Sequence, residues 1–290
     1  NNTIVGRASL YSNTTGGNNT ALGYGTLLAN TTASNNTAIG YNSLTANTTG
    51  ANNTAVGGSS LAANTTADSN TGIGYFSLAA NTTGASNTGL GKGTVRSNTT
   101  GSNNTGVGLD CMNGNTTGSN NTGLGSNALA ANSTASNNTA CGKDALASNT
   151  TGAENVAIGT FAMDAHTTGD SNTALGVNAL GSNTTASNNT ALGRNAMVNN
   201  TEGFQNVAVG AYCLDANTTG DYNVAVGLNA LGGNNADANT AVGNQAMLSN
   251  TEGTKNVALG AYALDANTTA SNNVATGWNA LSSNTTGAAN

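Results

Sequence analysis

Hydrophobic positions along this chain come in two short bursts followed by a polar stretch, and the whole pattern returns every seventeen residues. In Asn19 to Asn35 the bursts centre on Leu22 and Leu27, and the polar stretch is Asn30-Thr31-Thr32-Ala33-Ser34-Asn35. Aligning copies on the Gly that follows the first burst gives Gly6, Gly23, Gly40 and onward to Gly277, seventeen copies spaced by 17 with one step of 16. Self-similarity at a short fixed period marks an array whose copies bury one another. Seventeen residues are too few for a strand, a helix and their connections, so the pattern predicts an all-β fold, a parallel β-solenoid of 17-residue coils. Residues 1–290 then form a single continuous array, with one copy, Asn223 to Ala238, shortened to 16 by a loss after Asn234 that fits a corner at slots 14 to 17. The array reads as a segment of a longer protein.

Numbering each copy from its first Asn, slot 1 is always Asn and slot 5 always Gly. Slot 2 is Thr or Val, slot 4 aliphatic except Cys141 and Thr276, and slot 9 is Leu, Met or Val95. Slots 1 to 5 predict one strand, slots 8 to 11 a second and slots 12 to 14 a third extended piece, with corners at slots 5 and 15. Slots 2, 4, 9 and 11 are expected to point inward. Slots 3 and 8, small and uncharged, then point outward and form a strip covered by identical chains, most simply a homotrimer. Rows of Asn at slots 1 and 12 are expected to form amide ladders up the stack.

Charge refines this picture. Charged residues are only 6%, and six Lys+Arg against twelve Asp+Glu give a net charge of −6. No basic run offers to neutralise phosphate, so nucleic acid is a poor partner, and no stretch is apolar enough for membrane insertion. Every charge falls in slots 6, 7, 10, 14, 16 or 17, because an unpaired charge is very costly to bury. Most rings follow the same rule: Tyr24, Tyr41, Tyr75 and Trp278 occupy slot 6, and Phe76, Phe161, Tyr212 and Tyr262 slot 7. These eight are the candidate binding residues, an exposed ridge whose rings can stack on cell-surface sugars.

Candidate chemistry is otherwise sparse. Three Cys make no disulfide framework, and the lone His166, in an Asn slot, has no companion for a metal or a triad. No catalytic constellation and no cofactor motif is present, so an enzyme is not expected. Asn13, Asn30 and Asn47 each begin an Asn-Thr-Thr sequon and are candidate glycosylation sites, as is Asn18 in Asn18-Asn19-Thr20, although an Asn buried in a ladder has no room for a sugar.

The wording of Asn19 to Asn35 and of Asn36 to Asn52 resembles the repeat region of phage and bacterial tail-fibre proteins, which often end in a self-cleaving intramolecular chaperone. It is also similar to the head repeats of trimeric autotransporter adhesins. The resemblance spans the chain and implies an extracellular, homotrimeric β-fibre on a virion or cell surface, a structural shaft that presents attachment. Two alternatives stand beside it: an ice-binding solenoid using rows of Thr and Asn, and a glycan-coated extracellular filament.

Overall fold

A computed structural model describes residues 1–290 and contains β-strands and turns but no helix. The chain comprises two compact units, Asn1–Thr151 and Gly152–Asn290. In the first, nine strands run from β1 (Thr3–Val5) to β9 (Thr139–Cys141), one per coil. In the second, eight strands run from β10 (Val156–Ile158) to β17 (Val274–Thr276). Within each unit every strand pairs in parallel with the next, like slot against like slot, as in Thr20↔Thr37 and Leu22↔Ile39 or Thr173↔Thr190 and Leu175↔Leu192. Each unit is a parallel β-solenoid.

The strand covers only slots 2 to 4. Slots 6 to 11 are a continuous run of turns, so the second strand expected at slots 8 to 11 is absent, and slots 13 and 14, expected to be extended, are bends. The cause is a pair of left-handed residues at slots 7 and 9, such as Asn42 (φ 53°) and Leu44 (φ 48°). Leucine is a poor candidate for this region, which costs roughly 1 to 2 kcal/mol for a residue with a Cβ. The conformation persists because it directs alternate backbone N–H groups into the neighbouring coil: Leu27 N–H donates to the Ser43 carbonyl (3.1 Å) and Ala29 N–H to that of Thr45 (3.0 Å). It also places the Leu27 side chain fully inside.

The turn run crosses directly behind the strand, leaving a narrow interior, and this reverses the expected facing of the strand. Slot 3 points inward: Ala38, Ala55 and Ala174 are 0% exposed. Slot 8 is inward as well (Thr26, Ser43, Ala128, Cys213), as is slot 9, while slot 11 is half-buried. Slots 2 and 4 point out. Nothing larger than a methyl fits at slot 3, since a Cβ added to Gly72 would lie 2.6 Å from Ser60 Oγ and 3.4 Å from Leu61 Cγ. Gly89, Gly106 and Gly123 face Ser77, Thr94 and Cys111 in the same way. A β-branched or aliphatic residue therefore belongs on the outer face, and the contact strip inferred for slots 3 and 8 is core instead.

The Asn ladders are present. At slot 12, Asn30 Nδ2 donates to Asn13 Oδ1 (2.9 Å) and Asn64 Nδ2 to Asn47 Oδ1 (2.9 Å). At slot 1 the ladder is amide to backbone: Asn19 Oδ1 accepts from the Asn36 N–H (2.9 Å). Both rows converge on slot 15, where the Ala67 carbonyl accepts from Asn53 Nδ2 (2.9 Å) and Asn64 Nδ2 (3.0 Å), filling its two lone pairs.

The shortened coil has lost its residue between slots 12 and 15. Ala236 still accepts from Asn223 and Asn234 as slot 15 does elsewhere, and Asp237 still accepts from the Asp221 N–H as a slot 16 residue. The corner at slots 15 to 17 is therefore intact, and one residue, Asn235, does the work of slots 13 and 14. In the preceding coil the Thr218 carbonyl accepts from the N–H groups of Thr201 and Glu202 and from the Thr201 hydroxyl. One coil on, Asn235 Oδ1 replaces that carbonyl, accepting from Thr218 N–H (2.8 Å), Thr219 N–H (3.0 Å) and Thr218 Oγ1 (2.9 Å). The repair is incomplete, because the buried Asn217 Oδ1 has no partner. Asn235→Ala is expected to lower stability by about 1 kcal/mol in denaturant titration, and Asn235→Asp, which keeps the acceptor, by less. Equal losses in the two variants would show that the side-chain oxygen is not the repairing group.

Candidate interaction surface

With slots 2 and 4 outside, each unit presents a strand face bearing two ranks. The slot 4 rank is aliphatic and half-exposed: Leu22 is 44% accessible, Leu90 44%, Leu124 48% and Leu175 47%. The slot 2 rank is Thr in all nine coils of the first unit, whereas in the second it includes Val156, Val207, Val224, Val257 and Val274. The Thr hydroxyls of the two exposed rows differ in use. At slot 13 they donate to the next coil, as Thr48 Oγ1 does to the Thr65 carbonyl (3.0 Å). The slot 2 hydroxyls have no partner within the chain and are left to solvent. No charged residue lies in slots 1 to 5.

A contiguous apolar strip of this kind is uncommon on a surface meant only for water. Its sequence signal was available: slot 3 admits only Ala or Gly beyond the first coil, while slot 2 interchanges Thr with Val and slot 4 accepts Cys141 and Thr276. Strict smallness at slot 3 is the mark of the interior here, and loose apolar character at slots 2 and 4 that of the outside.

The aromatic residues form separate patches. Tyr24 and Tyr41 stack with centroids 5.4 Å apart and Arg7 5.9 Å from the Tyr24 ring, and both are exposed. Phe76 lies between Tyr75 (4.1 Å) and Arg96 (4.9 Å). In the second unit Tyr212 and Tyr262 are half-buried, Phe161 is 36% exposed and Trp278 is 73% exposed. Slot 6 side chains continue outward from the strand, while slot 7, held left-handed, tucks its ring partly against the coil. Phe204 and Tyr222, at slots 16 and 17, form a further edge-on pair (5.3 Å) outside the ridge.

The slot 12 sequons are closed. Asn30 and Asn47 are fully buried and each Nδ2 already donates twice. Asn13 is half-buried, with its Nδ2 on the Gly16 carbonyl (3.0 Å). A glycan on any of them would displace the ladder. Asn18, at slot 17, is exposed.

His166 sits in the Asn ladder as an amide mimic. Its Nε2–H donates to the Gly169 carbonyl (2.7 Å) and its Nδ1 accepts from Asn183 Nδ2 (2.9 Å), which requires the neutral ring. Burial lowers its pKa, opposed by the Gly169 bond and the charge of Asp170. Burial likewise pushes the Cys111 thiol up to about 12, so it is a core group and not a nucleophile. No group of three or more His, Cys, Asp or Glu is placed to hold a metal.

Because the folded His166 has the lower pKa, the unfolded chain binds the extra proton, and stability falls as pH drops below the ordinary imidazole range. His166→Asn is expected to remove that slope between pH 7 and 5 in thermal melts, while leaving stability at pH 8 nearly unchanged. A slope that survives in the variant would place its origin elsewhere.

Comparison with known protein families, curated proteins and solved structures finds no match.

Proposed function

We propose that this chain is a non-enzymatic shaft segment of an extracellular fibre, of the tail-fibre or surface-adhesin kind, that assembles with identical chains through the strand face. The observation that carries the reading is the half-exposed aliphatic rank at slot 4 on a charge-free strip. Covering a half-exposed Leu or Val is worth about 1 kcal/mol, and the rank repeats in almost every coil, so association is favoured over leaving the face wet. Three copies around a common axis, the arrangement implied by the resemblance, would bury one such face from each chain. The location this implies is a virion or cell surface.

Ice binding remains a second reading on one specific observation, the regular rank of solvent-facing Thr hydroxyls at slot 2 of the first unit. The aliphatic rank beside it favours protein contact instead.

Sedimentation of the intact chain is expected to give about three times 28.1 kDa. Leu175→Glu with Val209→Glu should release monomers that retain the β-sheet circular dichroism, since both positions point outward. Ala174→Glu should unfold the coil instead, by burying a carboxylate without a partner. A stable wild-type monomer at micromolar concentration would overturn the assembly, and thermal hysteresis from that monomer would move the assignment to ice.

A further inference from the structure

The second unit carries a period longer than the coil. The coils that begin at Asn155, Asn206 and Asn256 each place an aromatic ring at slot 7 and an Asp at slot 10: Phe161 with Asp164, Tyr212 with Asp215, and Tyr262 with Asp265. The coil after each has Gly181, Gly232 or Ser282 at slot 10. The same surface set therefore returns every three coils, or about 14 Å at the usual strand spacing. Coil packing has a period of one coil, so it does not require this longer one.

Ring and carboxylate stand three residues apart on the same run of turns. Slots 7 and 10 are the ends of one tight turn, closed in the coil after Asp215 by the Gly232 N–H on the Asn229 carbonyl (3.2 Å). Gly232 stands at slot 10 of that coil, where an added Cβ would be 3.3 Å from Asp215 Oδ1 and 3.0 Å from Leu248 Cδ1, and Asp215 itself is half-exposed. The Arg194 guanidinium lies over one face of the Tyr212 ring, 5.9 Å from its centroid, which leaves the other face for a ligand. Asp265 is half-exposed as a residue, with Oδ1 buried and without a hydrogen-bond partner in the chain. Burial also raises the pKa of the Asp215 carboxyl.

We propose that Tyr212 with Asp215, and Tyr262 with Asp265, are equivalent subsites for a neutral polysaccharide. The face of a ring stacks on the C–H face of a pyranose, and a carboxylate accepts hydroxyl protons beside it. Anionic sugars are disfavoured, because Gly152–Asn290 holds nine of the twelve acids and two of the six bases. Equivalent subsites about 14 Å apart engage one polymer together and gain affinity by effective concentration. This deepens the reading of a surface fibre and rests on it for where the ligand is met. It places recognition at slots 7 and 10 rather than at the exposed slot 6 tyrosines.

The test is affinity electrophoresis of the full chain in gels containing dextran, mannan, xylan, galactan or the anionic alginate. Four proteins are compared: wild type, Tyr212→Ser with Tyr262→Ser, Asp215→Asn with Asp265→Asn, and Tyr24→Ser with Tyr41→Ser. At least one neutral polymer is expected to retard the wild type while alginate does not. Both slot 7 and slot 10 double variants should bind it at least tenfold more weakly, and the slot 6 variant should bind as wild type. Retardation by no neutral polymer, wild-type binding in either of the first two variants, or loss in the slot 6 variant would each overturn the proposal. Sedimentation of every variant is read separately, so failure of sugar binding is distinguishable from failure of assembly.

Discussion

Two buried primary amides per coil constrain the rest of the structure. The Asn side chains of slots 1 and 12 are removed from water, and a buried amide without partners costs about 1 to 3 kcal/mol. Their partners are the slot 15 carbonyl of the same coil and the like-numbered residue of the adjacent coil. Only an in-register stack supplies both at once. A slip of one residue would strand every amide in two rows together, so the period of seventeen is held by hydrogen bonding as much as by hydrophobic contact.

What the ladder requires is an acceptor and a donor in fixed places, not a particular side chain. His166 meets the requirement with two ring nitrogens, provided it stays neutral. Asn235 meets a related one with a side-chain oxygen where a backbone carbonyl is missing. Both departures from the repeat preserve the bonding pattern on at least one side, and the cost of the second is visible one coil away as the unpaired Asn217 oxygen.

The same constraint explains the surface. Amides, a carbonyl row and one Leu or Met per coil fill an interior that leaves only a methyl's depth behind the strand, so the larger aliphatic residues are displaced outward. A thin core and an apolar exterior belong together in this fold. The exterior is the face to which the proposed association is assigned, and the slot 7 rings and slot 10 acids of the second unit lie apart from it, on the turn run.

The repeat by itself determined the coil length, the all-β class, the parallel like-on-like register, the Asn rows at slots 1 and 12 and the charge-free strand, because these follow from periodicity and from the cost of burying charge. It also located the shortened copy. Which face of the strand looks inward was decided only by tertiary structure. Alternation marks two faces but does not say which is buried, and the larger aliphatic residues at slots 2 and 4 pointed to the wrong one. The deciding fact is the path of slots 6 to 11, which depends on Leu, Met or Val adopting a left-handed conformation that its own side chain disfavours. Local propensity cannot foresee that choice, since the hydrogen bonds and burial that stabilise it come from the neighbouring coil.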